Sequence, residues 1–442
     1  MKDNPHLTLK ALQMARDCGA DSASVTYECA AQSAFKARGK DIDSIFSSEG
    51  SSLSIRIYAD GRYGSFSTNK LSDSDLLQFI KEGMEVVRLL EKDPCRSLPD
   101  PSACFKGELP DLKQCDAHIS GVDSAFRRET VLECATEAVS DPRVISIESE
   151  YDDMDDSMTL ADSNGFFRTL RQTQFSISAE CSIQGEGSSK PEGFWFDGSL
   201  MLKDFKPQGI GKEALRRAVS RLGSHKLPSG KYTAVLENAA ASKLLSPVME
   251  ALSGYSLYQQ NSFLLDKLGQ KVFSESMSVY DDPLRPGIIG SRPFDAEGVA
   301  CTCRTIVDKG TIASYYIDTY CSQKLGMKQT VGGPSVLCID SFGLPRGSAG
   351  SSESMLRAAE KGIFITGFNG GNCDTATGDF SYGIEGFYFE EGEVIHPVSG
   401  MNVTGNLVSL WNGFLAAGSD PRRCAKWQIP CLMFGDVDFN GI

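Results

Sequence analysis

Histidine is scarce in this chain. Only His6, His118, His225 and His396 occur among 442 residues. They stand far apart, and no pair has the spacing of zinc ligands on one helix, so no H-E-x-x-H pattern exists. A histidine-pair metal site of the chain's own is not expected. Long apolar runs are also missing. Nothing approaches the roughly 20 residues that a membrane-spanning helix needs, and no apolar signal core follows the opening Met-Lys-Asp-Asn-Pro-His. The expectation is a cytoplasmic protein without a membrane partner. Positive charge is in deficit too: 44 Lys and Arg against 58 Asp and Glu give a formal charge of -14, which repels a phosphate backbone. The densest basic stretch, Arg216, Arg217, Arg221, His225 and Lys226, reads as the solvated face of a helix, so no nucleic-acid partner is expected. The 14 cysteines follow no regular disulfide framework and read as reduced, mostly buried thiols.

What is present describes a folded protein of more than one core. Single hydrophobic cores stop growing beyond about 250 to 300 residues, so 442 residues predict two domains. Leu227-Pro228-Ser229-Gly230 marks the boundary, giving an N-terminal domain over 1–226 and a C-terminal domain over 227–442. The first is α+β, a sheet with packed helices. Leu7, Leu9, Leu12, Met14 and Ala15 precede Gly19 as a helix before its stop. Leu76, Ile80, Met84 and Val87 share a helical face behind Asp73 and Ser74. Helical patterns recur at 131–139 and 210–222. Strands are predicted at 24–27, 44–46, 53–58, 144–150, 157–161, 166–171 and 174–183, with Asp60-Gly61 and Asn164-Gly165 as hairpin turns and an irregular, proline-rich connection over 93–120.

The second domain is mainly β, a curved sheet, barrel or sandwich with short helices. It opens with a strand at 232–236 and a helix over 238–253. Strands 299–307 and 312–320 flank Lys309-Gly310, strands 387–389 and 394–395 flank Glu391-Gly392, and short helices fall at 353–361 and 407–417.

Few residues carry a recognisable chemistry. Cys301 and Cys303 would share a strand face and so one metal, but no second cluster completes a four-coordinate set. Cys424 and Cys431 have no neighbouring histidine to activate them. The glycine-rich run 367–379 lacks the Gly-Lys-Ser/Thr ending of a phosphate loop and reads as a surface loop between strands. Asp152, Asp153, Asp155 and Asp156 lack the glycine and closing glutamate of a calcium loop and read as a solvated acidic turn.

Several segments in register nevertheless resemble the TldD/PmbA family, also called modulator of DNA gyrase. They are Gly50 to Tyr58, Gly61 to Thr68, Ser229 to Leu236, Phe294 to Gly298, Thr377 to Phe380, Gly383 to Gly386 and Pro397 to Gly400. In the TldD branch a helix carries H-E-x-x-x-H, which with a C-terminal cysteine holds a catalytic metal. Aligned through Leu244-Leu245, those positions here are Ser246, Pro247 and Ala251, and Cys424 lies near the metal cysteine. Serine, proline and alanine cannot rebuild that site. Gly254 and Asn261 to Gly269 look like the PmbA branch, also called TldE.

The resemblance implies a non-catalytic subunit without cofactor, paired with a TldD-like metallopeptidase that carries zinc and cleaves unfolded peptides. It also implies that this chain helps form the peptide cavity, by strand addition to glycine-bearing loops. Phe294, Asp295, Glu297, Arg304, Thr377, Gly378, Asp379 and Phe380 are the expected groove residues. A homodimer when alone, a hydrolase using Cys424 in its own right, and a regulator of gyrase through protein contacts are the alternatives.

Overall fold

The computed structural model describes residues 4–441; residues 1–3 and 442, the outer ends of the two expected domains, lie outside it. The chain is α+β. Its N-terminal part is an antiparallel sheet in the order β3-β2-β1-β4-β5-β6, formed by β1 (Ser22–Arg38), β2 (Asp41–Ala59), β3 (Arg62–Thr68), β4 (Val144–Asp162), β5 (Phe167–Ile183) and β6 (Glu192–Ser199). Four helices cover it: α1 (Leu7–Asp17), α2 (Asp73–Leu89), α3 (Ser124–Val139) and α4 (Ile210–Ser220).

The sheet carries two cores side by side. Val25 and Phe35 share a face of β1 because their spacing is even. Val25 packs with Leu53, Ile55 and Ile57 of β2 under α1 and α2, while Phe35 packs with Tyr151, Phe175 and Ile177 under α3 and α4.

The hairpin turns follow from backbone chirality. Asp60-Gly61, Lys309-Gly310 and Glu391-Gly392 have positive φ at both positions, the geometry whose twist matches that of the flanking strands. At Asn164-Gly165 the Asp162 carboxylate accepts the N–H of Asn164 at 2.8 Å and of Phe166 at 3.0 Å.

Several expectations give way to the structure. The strand pairs 144–150 with 157–161, and 166–171 with 174–183, are in each case one long strand, and 44–46 joins 53–58 in β2. Asp152, Asp153, Asp155 and Asp156 therefore lie mid-strand, not in a solvated turn. Asp153 is buried and pairs with Arg127 at 2.6 Å, and Asp155 pairs with Arg171 at 2.6 Å. Charge alone mimics a turn; pairing on both edges of β4 overrides it. The basic stretch is likewise only partly solvated. Arg217 is buried between Glu213 and Glu237 with its guanidinium 3.9 Å from the Trp195 ring centre, and Arg221 pairs with Glu385.

The C-terminal part begins with β7 (Gly230–Leu236), α5 (Asn238–Ala251) and α6 (Gly254–Tyr258). A small antiparallel sheet follows, made of β8 (Val279–Asp281), β9 (Arg304–Asp308), β10 (Thr311–Ile312) and β11 (Leu337–Cys338), with α7 (Thr319–Leu325) between β10 and β11. Then come α8 (Ser352–Ala359), β12 (Lys361–Cys373), β13 (Asp379–Glu390), β14 (Glu393–Val398), β15 (Met401–Asn406), α9 (Leu407–Asn412), β16 (Phe414–Ala417) and β17 (Leu432–Gly441). Strands β12, β7, β17, β15 and β13 close on one another as a barrel, because β13 pairs back to β12. Trp411, Phe414 and Phe434 pack in its core against α5, and the Trp411 Nε1–H donates to the Leu244 carbonyl at 3.3 Å.

Other boundaries differ from expectation. Of 299–307 only the end is strand, and 313–318 instead leads into α7, where Asp318 caps the Cys321 N–H at 2.6 Å. Cys301 and Cys303 share no strand face; the first is buried and the second exposed. The helix expected over 407–417 ends at Asn412, and Gly413 turns the chain into β16 beside β17. Most of the glycine-rich run 367–379 belongs to β12, not to a loop.

The irregular strap over 93–118 staples the two parts together. Phe105 N–H donates to Gly298 at 2.9 Å, Gly287 N–H to Leu112 at 2.7 Å, and the Gln114 amide to Ser291 at 2.6 Å. The Arg127–Asp153 pair between α3 and β4 provides a stability test. Asp153→Asn leaves a largely buried guanidinium without its counter-charge and is expected to cost about 3 to 5 kcal/mol in urea unfolding. A loss under about 1 kcal/mol would mean that the pair is solvated.

Candidate functional site

Helix α5 has two unlike faces. Leu244, Leu245, Val248 and Met249 enter the barrel core. Ala239, Ser242, Lys243 and Ser246, at helical spacing i, i+3, i+4 and i+7, form the other face and line a cavity of about 470 Å³. Pro247, inside the helix, removes an amide N–H from its ladder.

The opposite wall is β12. Thr366, Gly367, Phe368, Gly370 and Gly371 line it, together with Trp427. Two irregularities set this wall. Strand β12 pairs with β7 only over Ile363–Ile365, and its register with β13 shifts between Ile365 and Gly367 and again between Phe368 and Gly371. Beyond Ile365, whose carbonyl takes the Glu237 N–H at 2.9 Å, the edge toward α5 has no ladder partner among the described residues. Glycine is required at 371, where φ is +88° and a Cβ would meet the Ser381 carbonyl. The result is a short open strand edge facing a small-residue helix face. Aromatic and cationic groups border it: Phe368 packs edge-on to Tyr382 at 5.6 Å, and the Lys243 ammonium lies 4.9 Å from the same ring centre.

The donor set here does not suit zinc. Ser246 offers one hydroxyl, Pro247 and Ala251 offer no ligand atom, and Ala251 is fully buried. Among the described residues no group of three or more His, Cys, Asp or Glu stands close enough to hold a metal.

Cys424 lies elsewhere. It lines a separate cavity of about 580 Å³ with Asp197, Lys203, Arg422 and Arg423, which shares no lining residue with the cavity at Ser246. Burial is the main force raising its thiol above the ordinary value; Arg422 opposes this and Asp197 adds to it. Cys431 is fully buried, and burial with Asp420 beside it also raises its thiol. In both, burial works against the thiolate that a nucleophile needs.

The remaining expected groove residues fall in three places, and none lines the cavity at Ser246. Phe294 is buried between Phe166 and Phe105 at the junction of the two parts. Asp295 and Glu297 beside it line a third cavity. The Asp295 carboxylate accepts the N–H groups of Glu297, Val299 and Gly332 at 2.9 to 3.0 Å. Arg304 begins β9 with one buried guanidinium nitrogen lacking a hydrogen-bond partner. Thr377 and Gly378 turn β12 into β13, with the Thr377 carbonyl and Asp379 carboxylate holding the Asn406 amide at 2.9 and 2.8 Å. Phe380 is buried and stacks on Tyr382 at 5.7 Å, linking the turn to the aromatic border of the cavity.

Lys243, Ser242 and Trp427 belong to no motif that sequence reasoning finds. The small-polar stripe on α5 is the available signal, and the apolar face of the same helix masks it. Two histidines far apart in sequence also meet: the rings of His225 and His396 lie edge to face at 5.2 Å, with Tyr388 stacked on the second. Pairing of residue 225 with residue 398 brings them together across the sheet edge.

Comparison with known proteins covers nearly the whole chain. Residues 229–441 match the PmbA/TldA metallopeptidase C-terminal domain, residues 117–222 the central domain, and residues 32–87 domain 1 of the same family. Metalloprotease PmbA of Escherichia coli O157:H7 is 28% identical over 90% of this chain and 87% of its own length. A PmbA homologue from Haemophilus influenzae is 27% identical over 98% and 94%. Among solved structures, a proposed modulator of DNA gyrase from Bacteroides thetaiotaomicron is 42% identical over the full length of both chains, with a TM-score of 0.96. TldE from Thermococcus kodakarensis shares the fold at 17% identity and a TM-score of 0.84, over 98% of this chain and 100% of that one.

The raised thiol at Cys424 has a measurable consequence. Its thiolate, and so its alkylation by iodoacetamide followed by peptide mass spectrometry, is expected to keep rising with no plateau below pH ~9. A plateau below pH ~8 would identify an activated cysteine instead.

Proposed function

The chain belongs to the PmbA/TldD metallopeptidase family, and from that premise we propose that it is a peptide-binding, non-catalytic subunit working with a TldD-like, metal-bearing partner. The observation that carries this reading is the cavity at Ser246. It combines an open strand edge with a helix face from which every metal-ligating group is missing.

The chemistry available there is binding. An extended peptide laid along Thr366 to Gly371 would pair its own N–H and C=O groups with the unpaired edge of β12, the mode that ignores side-chain identity. Gly370, where a Cβ would have nothing within 4 Å, leaves room for the incoming backbone. Ser242 and Ser246 supply hydroxyls without charge, Phe368 supplies an apolar contact, and Lys243 supplies one cation. No carboxylate, histidine or cysteine stands among the lining residues to act as general base or activated nucleophile. Hydrolysis would therefore belong to the partner, whose zinc would activate the attacking water.

Isolation from the cytosol, expected as the compartment, together with identification of the co-purifying protein, tests the pairing. The expected product is a heterodimer with a TldD-like chain, and a homodimer is the form expected when that chain is missing. No helix among the described residues is long and apolar enough to cross a membrane. The net charge of -14 argues against a direct action on DNA.

Activity separates the readings. The purified chain supplied with zinc is expected to leave an unfolded peptide intact, and addition of the TldD-like chain to start chelator-sensitive cleavage. Chelator-sensitive cleavage by this chain alone would overturn the proposal. A second test concerns the space beside the open edge. Ser246 is exposed on α5, so Ser246→Trp is compatible with the core and fills the gap between the helix and β12. It is expected to weaken peptide binding at least about tenfold in fluorescence anisotropy, which corresponds to roughly 1.4 kcal/mol. Unchanged affinity with retained folding would move the peptide off this edge.

A further inference from the structure

A cavity of about 600 Å³ lies where the strap, the β2–β3 end of the first sheet and the C-terminal part meet. Four basic and three acidic side chains line it. The two signs are not equally available. Asp295 is engaged by three backbone N–H groups. Glu297 accepts the N–H and hydroxyl of Thr319 at 3.0 and 2.7 Å, and Asp318 caps Cys321. Burial also raises the Glu297 carboxyl above its ordinary value.

The cations are much freer. The Arg96 guanidinium lies 3.4 Å from the ring centre of Tyr320 and 4.7 Å from that of Tyr63. Stacking in this way holds the plane fixed and leaves the N–H edge available to a planar anion. Arg56 makes a long contact, 3.5 Å to the Ala296 carbonyl, and no ion pair among the described residues. Arg292, by contrast, is tied to Ser335 at 2.9 Å and Gly333 at 2.8 Å and serves as wall.

Lys426 lines the same cavity and has no ion pair among the described residues. Its stem lies against Gly290, where a Cβ would come within 2.6 Å of Lys426 Cγ, so the glycine permits this approach. The residue is exposed, yet desolvation by the surrounding walls and then Arg292 push its ammonium below the ordinary value. Asp281, whose charge opposes that fall, is itself engaged by the N–H groups of Ser335 and Val336 at 2.9 and 2.8 Å.

We propose that this junction cavity is a carboxylate-binding subsite, with Lys426, Arg96 and Arg56 as donors and the free C-terminus of a peptide as occupant. The small excess of basic over acidic groups suits a monoanion better than a phosphate dianion. The three tyrosines, Tyr58, Tyr63 and Tyr320, provide flat walls for a terminal side chain. Lys426 and Trp427 are adjacent in sequence and line this cavity and the one at Ser246 respectively. The peptide as occupant rests on the function proposed above; the carboxylate site does not.

Calorimetry on the full chain, at low ionic strength, tests both levels with one unstructured peptide prepared as the free acid and as the C-terminal amide. The acid is expected to bind about tenfold tighter. Lys426→Met should remove that difference by weakening the binding of the acid, and Arg56→Gln serves as the second variant should the first fail to fold. Equal binding of acid and amide by the unmodified chain overturns the subsite and leaves peptide binding intact. If neither peptide binds, the peptide reading fails, and ligand-observed NMR with N-acetylalanine and inorganic phosphate decides the site separately. Binding of N-acetylalanine that is lost in Lys426→Met sustains it; no binding, or binding of phosphate alone, overturns it.

Discussion

Each backbone N–H and C=O of a barrel strand needs a partner, and β12 meets that demand on both edges only over Ile363–Ile365. Up to that point it closes the barrel between β7 and β13. Beyond it the strand shifts register at Gly367 and Gly371, stays attached to β13 and leaves the edge toward α5 open. The closure and the opening belong to one strand. A barrel in which β12 continued along β7 would remove the edge and fill the space beside Ser246.

Helix α5 answers the same constraint from the other side. Its apolar face is fixed by Leu244, Leu245 and Val248 in the barrel core, so the stripe carrying Ser242, Lys243 and Ser246 must face β12. The short side chains of Ser242 and Ser246 on that stripe leave the cavity between the helix and the open edge. The core therefore orients the candidate site, while the chemistry of the site depends on residues that contribute little to the core.

At the junction of the two parts the governing interaction is electrostatic. Backbone amides absorb Asp295 and Asp281, and Thr319 absorbs Glu297, which leaves the basic groups facing the cavity. Hydrogen bonds to backbone donors hold carboxylates in place without using a cation. The same strap that brings Arg96 onto Tyr320 also ties Asp93 to Lys324 at 3.1 Å, so the cavity and the attachment of the two parts have shared walls.

The sequence by itself determined the α+β class, the glycine-bearing hairpin turns and the family, because turn chirality, apolar periodicity and ordered segments are local properties. The identities of Ser246, Pro247 and Ala251 on α5 are likewise readable without coordinates. The acidic run 152–156 has the local character of a turn, and strand pairing, a non-local interaction, overrides it. Only the tertiary structure decided that His225 meets His396, that Cys424 and Ser246 line different cavities, and that Lys243, Trp427 and Lys426 line cavities at all. Those facts depend on where β12 leaves the barrel and where the strap crosses, and contacts between residues far apart along the chain leave no periodic signal in one sequence.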